Sequence, residues 1–403
     1  MGGTKKFLRI FCIATILLTF SFLLNAQPPK QTFPWQGQDR EYYAYIPASY
    51  DSSTDMLPVM VFLHGFDGGI DSYSSTIDFQ QAADQFHWMI VLPQALAAQF
   101  SLLGMNIPVG NAWNSGIVMT IMGSAFTPNS DVDDAGFLLA LVDELGSTYH
   151  LDPDSLFFTG FSMGAFMTHR MAIEHAERIN AVAAASGLIP VCFAESTPSR
   201  HISVLHIHGT SDTFICPDGT ANPIPGMGQM TLGLSVDSTI SYWRRVNQCD
   251  LEAEITPFAN TMNDGMTFTL NTYGSSTDDT RVALLSVEGG EHKWYEDGHD
   301  IQYLTAIHDF FTRSQSYDIE YNGGGINSPT QRNALTIFPN PTQNLVTVET
   351  PCNTHLFIYD ATGRTITNMP ITSGRNVIDL SAYPAGIYLM RTAIGQVSPL
   401  IIK

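Results

Sequence analysis

Short, continuous apolar runs alternate with longer helix-period segments between about residues 40 and 313, and this alternation constrains the fold more than any other feature of the chain. The apolar runs are Tyr42–Ile46, Pro58–Leu63, Met89–Leu92, Ser155–Thr159, Ala181–Ala185, Val204–His208 and Val282–Val287. The helix-like segments fall near 76–86, 133–147, 163–177, 236–247 and 301–313. Strands that read as unbroken apolar runs are buried on both faces, so helices must cover each side. Strands alternating with helices build βαβ units and a mostly parallel sheet. Residues 27–313 are therefore expected to form one α/β domain.

Charge narrows the partners. The 403 residues carry 18 Lys+Arg against 38 Asp+Glu, a formal net charge of −20. Of the acidic residues, 35 lie in 27–333. Nucleic-acid binding rests on Lys and Arg neutralising phosphates, so no nucleic-acid partner is expected. An anionic substrate or membrane surface is disfavoured for the same reason. Hydrophobic residues make up 44%, which excludes wholesale disorder. A neutral substrate fits what remains.

The N-terminus reads as an export signal over 1–26. Lys5, Lys6 and Arg9 precede the apolar run Ile10–Leu24, and Ala26 supplies a small residue for cleavage. The run is shorter than the roughly 20 residues a bilayer span requires, so no membrane span is expected after processing. The chain is thus read as secreted or surface-bound, passing through the periplasm. Export permits disulfides. At most one bridge is expected among Cys192, Cys216 and Cys249, and the sequence does not assign the pair.

Residues 314–333 contain three consecutive glycines among polar residues, a linker composition. After them the pattern changes. Strand-like runs at Leu335–Phe338, Leu345–Val348, Leu356–Tyr359, Val377–Leu380, Ile387–Met390 and Leu400–Ile402 are separated by turn residues with nothing helical between. Residues 334–403 are therefore expected to form a small all-β sandwich.

The strongest chemical signal is Gly160-Phe161-Ser162-Met163-Gly164. A G-x-S-x-G motif is weak alone, but here it follows an apolar strand and opens a helix, the context of a nucleophile elbow. Ser162 is the candidate nucleophile. In that arrangement an acid and then a His follow in chain order. Asp212 stands just past the strand Val204–His208, with Asp218 and Asp237 as alternatives. His292 follows Val282–Val287 through Gly289-Gly290, with His299 and His308 as alternatives. The oxyanion donors expected are the backbone N–H groups of Met163 and of Phe66, the latter in His64-Gly65-Phe66-Asp67-Gly68-Gly69 after the strand Pro58–Leu63.

Other groups carry less. His206 and His208 share one face of a strand but lack a third metal ligand at a suitable spacing. Asp131-Val132-Asp133-Asp134 lacks the Gly and Glu that complete a calcium loop, and suits a helix N-terminus instead. Residues 96–130 lack a clear period, and loops of that length tend to be functional. Trp113 and Trp294 are the candidate substrate-binding residues. No metal or organic cofactor is required by this set.

Read together, LPVMVFLHGFDGG (57–69), VLPQA (91–95), AWN (112–114), DVDDAGFLLALVDEL (131–145), DPDSLFFTGFSMGAFMTHRMA (152–172), VLHIHGTSD (204–212) and EGGEHKW (288–294) resemble the secreted polyhydroxybutyrate-depolymerase and feruloyl-esterase family, which includes the family one carbohydrate esterases. The resemblance implies an α/β-hydrolase with Ser162 as nucleophile, Asp212 as acid and His292 as base. It also implies Phe66 and Met163 as oxyanion donors, Trp294 beside the site, and esters of plant polysaccharide or short polyesters as substrates. A peptidase or lipase of the same fold, or a surface binding protein with a degenerate hydrolase domain, is the alternative. The C-terminal IFPNPTQNLVTVET (337–350), IYDATGR (358–364) and IDLSAYPAGIYLMR (378–391) resemble a type IX secretion sorting domain. That resemblance implies the type IX machinery as a partner.

Overall fold

Strands with no polar interruption pair in parallel through the middle of the molecule. The structure, a computed structural model, describes residues 27–102, 105–121, 124–221, 230–250, 252–312, 336–350, 354–359, 365–372, 374–392 and 397–403. The export signal expected at 1–26 and the linker at 314–333 lie outside these residues.

The main sheet has ten strands. They are β1 (Gln31–Trp35), β2 (Gln38–Tyr45), β3 (Leu57–Leu63), β4 (Met89–Pro93), β5 (Leu151–Phe161), β6 (Ala181–Ala185), β7 (Ser203–Gly209), β8 (Glu254–Pro257), β9 (Thr267–Gly274) and β10 (Arg281–Glu288). Their order is β1-β2-β4-β3-β5-β6-β7-β10-β9-β8. Pairing is parallel from β4 through β3, β5, β6 and β7 to β10, and antiparallel at both flanks. The helices are α1 (Ile70–Thr76), α2 (Phe79–Phe86), α3 (Asp134–Thr148), α4 (Met163–Glu174), α5 (Val236–Val246) and α6 (Tyr303–Thr312).

Two apolar layers sandwich the sheet. Along β3, Val59, Val61 and Leu63 face one layer, with Phe137 of α3, Phe166 of α4 and Trp243 of α5. Met60 and Phe62 face the other, with Phe79 of α2 and Ile307 and Phe310 of α6. This is the alternation of a pleated strand covered on both sides.

The structure departs from expectation in several places. The segment 76–86 is not one helix. Asp78 breaks it by capping α2, its side chain accepting the Gln81 N–H at 2.9 Å. Residues 96–130 are not irregular. They form the hairpins Ala97–Leu102/Met105–Asn111 and Met119–Ile121/Ser124–Phe126. The flanking strands β1, β8 and β9 escaped the sequence reading because antiparallel edges carry polar residues on alternate positions.

No disulfide joins Cys192, Cys216 and Cys249, an outcome within the expected maximum of one bridge. Cys192 Sγ instead lies 3.3 Å from the Gly116 carbonyl.

The C-terminal residues form two antiparallel sheets, Thr336–Phe338/Leu345–Thr350/Gly374–Asp379 and Thr365–Ile371/Thr354–Tyr359/Gly386–Thr392/Val397–Ile402. Val346, Val348 and Ile378 from the first share one core with Leu356, Ile358, Met390 and Leu400 from the second. The strand Thr365–Ile371 was not foreseen, since TITNMPI carries polar residues and a Pro.

One buried ion pair ties the sheet edge to the helices. Arg40 of β2 donates to Asp134 at 2.7 Å, with 1% and 0% of the side chains exposed. Arg40 also lies over the Phe137 ring, 3.8 Å from its centroid. The other Asp134 oxygen accepts the Asn114 N–H at 2.7 Å. Burial opposes both charges, raising the Asp134 carboxyl and lowering the Arg40 guanidinium. Removing one partner strands the other in the core. Asp134→Ala should therefore cost about 3–5 kcal/mol of unfolding free energy by urea titration; a loss under about 1 kcal/mol would refute this role for the pair.

Candidate active site

The site sits at the carboxyl ends of the central parallel strands, where ligands bind in open α/β sheets. Ser162 lies between β5 and α4 with φ 56° and ψ −121°. This is a strained conformation for a residue with a side chain. The turn closes because both flanking glycines are in backbone contact. A Cβ on Gly164 would collide with the Leu63 carbonyl, and one on Gly160 with the Gly164 backbone. The Ser162 N–H is donated to the Ala185 carbonyl at 2.9 Å, which anchors the elbow to the neighbouring strand.

Ser162 Oγ lies 2.9 Å from His292 Nε2, and His292 Nδ1 lies 2.7 Å from Asp212 Oδ2. The structure thus brings the three sequence candidates together in one hydrogen-bonded line. Asp212 follows β7 and is 2% exposed. Its other oxygen accepts the N–H groups of Phe214 and Ile215 at 3.0 and 2.9 Å. The carboxylate is therefore fixed in rotation, with one oxygen left for His292. The loop carrying His292 is stitched to the acid loop. Ser211 N–H donates to the Gly290 carbonyl at 2.9 Å, and Gly289 N–H to Thr210 Oγ1 at 3.0 Å. A side chain on Gly209 would collide with the Gly290 carbonyl.

The loop after β3 presses against Ser162. A Cβ on Gly65 would stand 3.2 Å from Ser162 Cβ. Its shape is set by His64, which is 1% exposed. His64 Nδ1 donates to the Gly65 carbonyl at 2.7 Å, while Nε2 accepts the Ala95 N–H and the Gln94 side-chain amide, each at 3.0 Å. An acceptor at Nε2 requires a neutral ring, and burial pushes His64 down to about 4. Among the described residues, neither Phe66 N–H nor Met163 N–H donates to a protein acceptor.

The remaining candidates fall as follows. Trp113 is a correction. It is fully buried, and its indole N–H is donated to the His64 carbonyl at 2.9 Å. It braces the loop from behind and is not a wall of the open site. Trp294 is half-buried and meets Phe161 edge-on at 6.3 Å, with its N–H held by Glu296 at 2.5 Å. Glu296 is raised to about 7 by burial. His299 pairs with Asp264 at 2.8 Å and His308 stacks on Phe86 at 4.0 Å. Asp218 binds Thr220 and Asp237 lies in the first turn of α5, so none of these four joins the triad line.

Two side chains beside His292 were missed. Phe161 and Phe214 flank its ring at 4.8 and 4.9 Å between centroids. The available signal was their adjacency to Ser162 and to Asp212.

This sheet, covered by helices on both faces, is that of an α/β-hydrolase. Residues 50–218 match the phospholipase/carboxylesterase family, and residues 336–402 match the secretion system C-terminal sorting domain. The chain is thus similar to the carboxylesterases over 50–218, and its C-terminal sorting domain marks it for secretion to the cell surface or exterior. NocK of Nocardia uniformis subsp. tsuyamanensis, named as an esterase, is 26% identical over 67% of this chain and 74% of its own length. The bifunctional acetylxylan esterase/xylanase XynS20E of Neocallimastix patriciarum is 23% identical over 73% of this chain and 37% of its own length. Feruloyl esterase B of Piromyces equi is 26% identical over 47% of this chain and 32% of its own length. The chain therefore spans most of the first relative but only about a third of the other two.

The buried histidines give a pH test. His64 at about 4, His169 at about 3, and His206 and His208 are all lowered by burial. The folded state keeps these rings neutral where the unfolded chain, near 6.5, binds protons. Stability should be level above about pH 7 and fall as pH drops below 6.5 toward 4, by up to about 1.4 kcal/mol per pH unit for each ring. Thermal melts from pH 8 to 4 check this, and a melting temperature that rises over that descent would refute it.

Proposed function

We propose that the chain is a serine esterase in which Ser162 attacks the ester carbonyl while His292 Nε2 takes the hydroxyl proton. Asp212 holds the imidazole by its Nδ1–H and balances the charge that forms there. The tetrahedral oxyanion is received by the N–H groups of Phe66 and Met163. His292 returns the proton to the leaving alcohol, leaving an acyl group on Ser162. Water, deprotonated by the same imidazole, then releases the acid. The observation that carries this reading is the unbroken line Ser162–His292–Asp212 at 2.9 and 2.7 Å.

The substrates proposed are feruloyl or acetyl esters on plant polysaccharide, or short polyesters such as polyhydroxybutyrate. The aromatic rings of Phe161 and Phe214 beside His292 suit a planar acyl group. The names of the feruloyl and acetylxylan esterase relatives support the same class. Trp294 is proposed to line the acyl side behind Phe161. The export signal over 1–26, the linker over 314–333 and an interaction of residues 334–403 with the type IX machinery complete the reading.

Purified protein should hydrolyse p-nitrophenyl acetate, and Ser162→Ala should lower kcat by about 10⁴-fold or more. Rates on methyl ferulate, acetylated xylan, polyhydroxybutyrate, a long-chain ester and a peptide amide rank the substrates. Activity that survives Ser162→Ala would sink the mechanism, and preference for the amide or the long-chain ester would replace the substrate class.

A further inference from the structure

A column of aromatic rings runs through the core behind the triad acid. His206 and His208 lie two apart on β7 and so point to one side of the sheet. The His206 ring stacks on His208 at 5.3 Å and 16°, and on His169 of α4 at 5.6 Å and 25°. Trp243 of α5 continues the stack beyond His169 at 6.0 Å and donates its indole N–H to His169 Nδ1 at 3.1 Å. None of these rings is more than 3% exposed. Both ring nitrogens of His206 and Nδ1 of His208 have no partner among the described residues. Apolar side chains would fill this space without leaving polar atoms unpaired. The near end of the column is His208, whose Nε2 is hydrogen-bonded.

That end touches the acid. His208 Nε2 lies 2.9 Å from the Ile215 carbonyl, so this nitrogen carries the proton and donates. Ile215 in turn gives its N–H to Asp212 Oδ1. The turn 212–215 is thus clamped from both sides, and the second carboxylate oxygen is left aimed at His292. The His208 ring itself stands 3.8 Å from that oxygen, too far for a hydrogen bond. A charged imidazolium there would compete with His292 for the carboxylate. The groups facing His208 are Asp212 and His292 at the site and His206 on its own strand, with His169 behind. Burial, with the His292 ring as a lesser cause, holds it below the usual imidazole range.

We propose that His208 is a positioning residue for catalysis: through the Ile215 carbonyl it holds the 212–215 turn that orients Asp212 toward His292. The inference rests on the triad reading above. It assigns His208 no contact with substrate.

The test uses the full chain with active sites counted by fluorophosphonate labelling. His208→Gln keeps an amide N–H that reaches the Ile215 carbonyl. His208→Asn is one methylene shorter and withholds it, and His208→Phe removes it while keeping a ring. The Asn and Phe variants should lose about 10- to 100-fold in kcat per active site with KM little changed, since small misplacement of a catalytic group costs this much. The Gln variant should recover most of the rate. Unchanged kcat in the Asn variant, or a Gln variant as impaired as Asn, would overturn the proposal even if Phe fails to fold. Activity in Ser162→Ala would instead fault the triad reading, so the two failures are distinguishable.

Discussion

A single backbone contact sets the geometry of the site: the Cα of Gly164 lies so close to the Leu63 carbonyl that no side chain fits between them. Strands β3 and β5 run side by side with Leu63 paired to Gly160, so both end at one height. The helix α4 can then start over the end of β3 only if its second residue is bare. This draws Gly65 against Ser162, while among the described residues neither the Phe66 nor the Met163 N–H has a protein acceptor. Strain at Ser162, with its positive φ, is the local cost of that approach. The strand pairing on both sides of β5 offsets it.

The polar groups inside the molecule hold loops and contribute little to the core itself. Arg40 and Asp134 fix residue 114. Trp113, one residue earlier, braces the His64 carbonyl, and His64 shapes the loop over the nucleophile. Burying such groups is unfavourable unless their hydrogen bonds are met, and most of theirs are. The hydrogen-bonded line Ser162–His292–Asp212 thus rests among buried imidazoles and one desolvated ion pair. The same imidazoles make stability depend on pH from below, since each buried ring resists a proton that the unfolded chain accepts.

The central fold was legible because parallel strands covered on both faces leave an unbroken apolar signature, as in Val59–Leu63 and Ala181–Ala185. Strands β8 and β9 were not, because alternate positions such as Thr267 and Thr269 are polar, and the edge strand β8 carries Pro257. Ser162, Asp212 and His292 could be named because each follows a strand in a turn with a distinctive residue pattern. Trp113 misled for a physical reason. Its neighbours in sequence are those of a site loop, while its burial depends on Asp134 and Arg40, which lie 21 and 73 positions away along the chain. Phe161 and Phe214 escaped notice because ring placement follows from loop conformation, which no short periodicity encodes.

Acidity and catalysis are compatible here because of which groups meet the developing charge. The segment 27–333 holds 35 acidic residues, and a site relying on Lys or Arg would sit in a strongly opposing field. On the proposed mechanism the oxyanion is met by backbone N–H dipoles at the start of α4 and in the loop after β3. Those dipoles cannot be titrated and need no cation. Surface charge beyond about 10 Å is screened at ordinary ionic strength, so the transition state feels mainly the local dipoles. An incoming anion meets the outer field first, and a neutral ester does not. Selection against charged substrates and stabilisation of a charged intermediate are thereby assigned to different parts of the molecule.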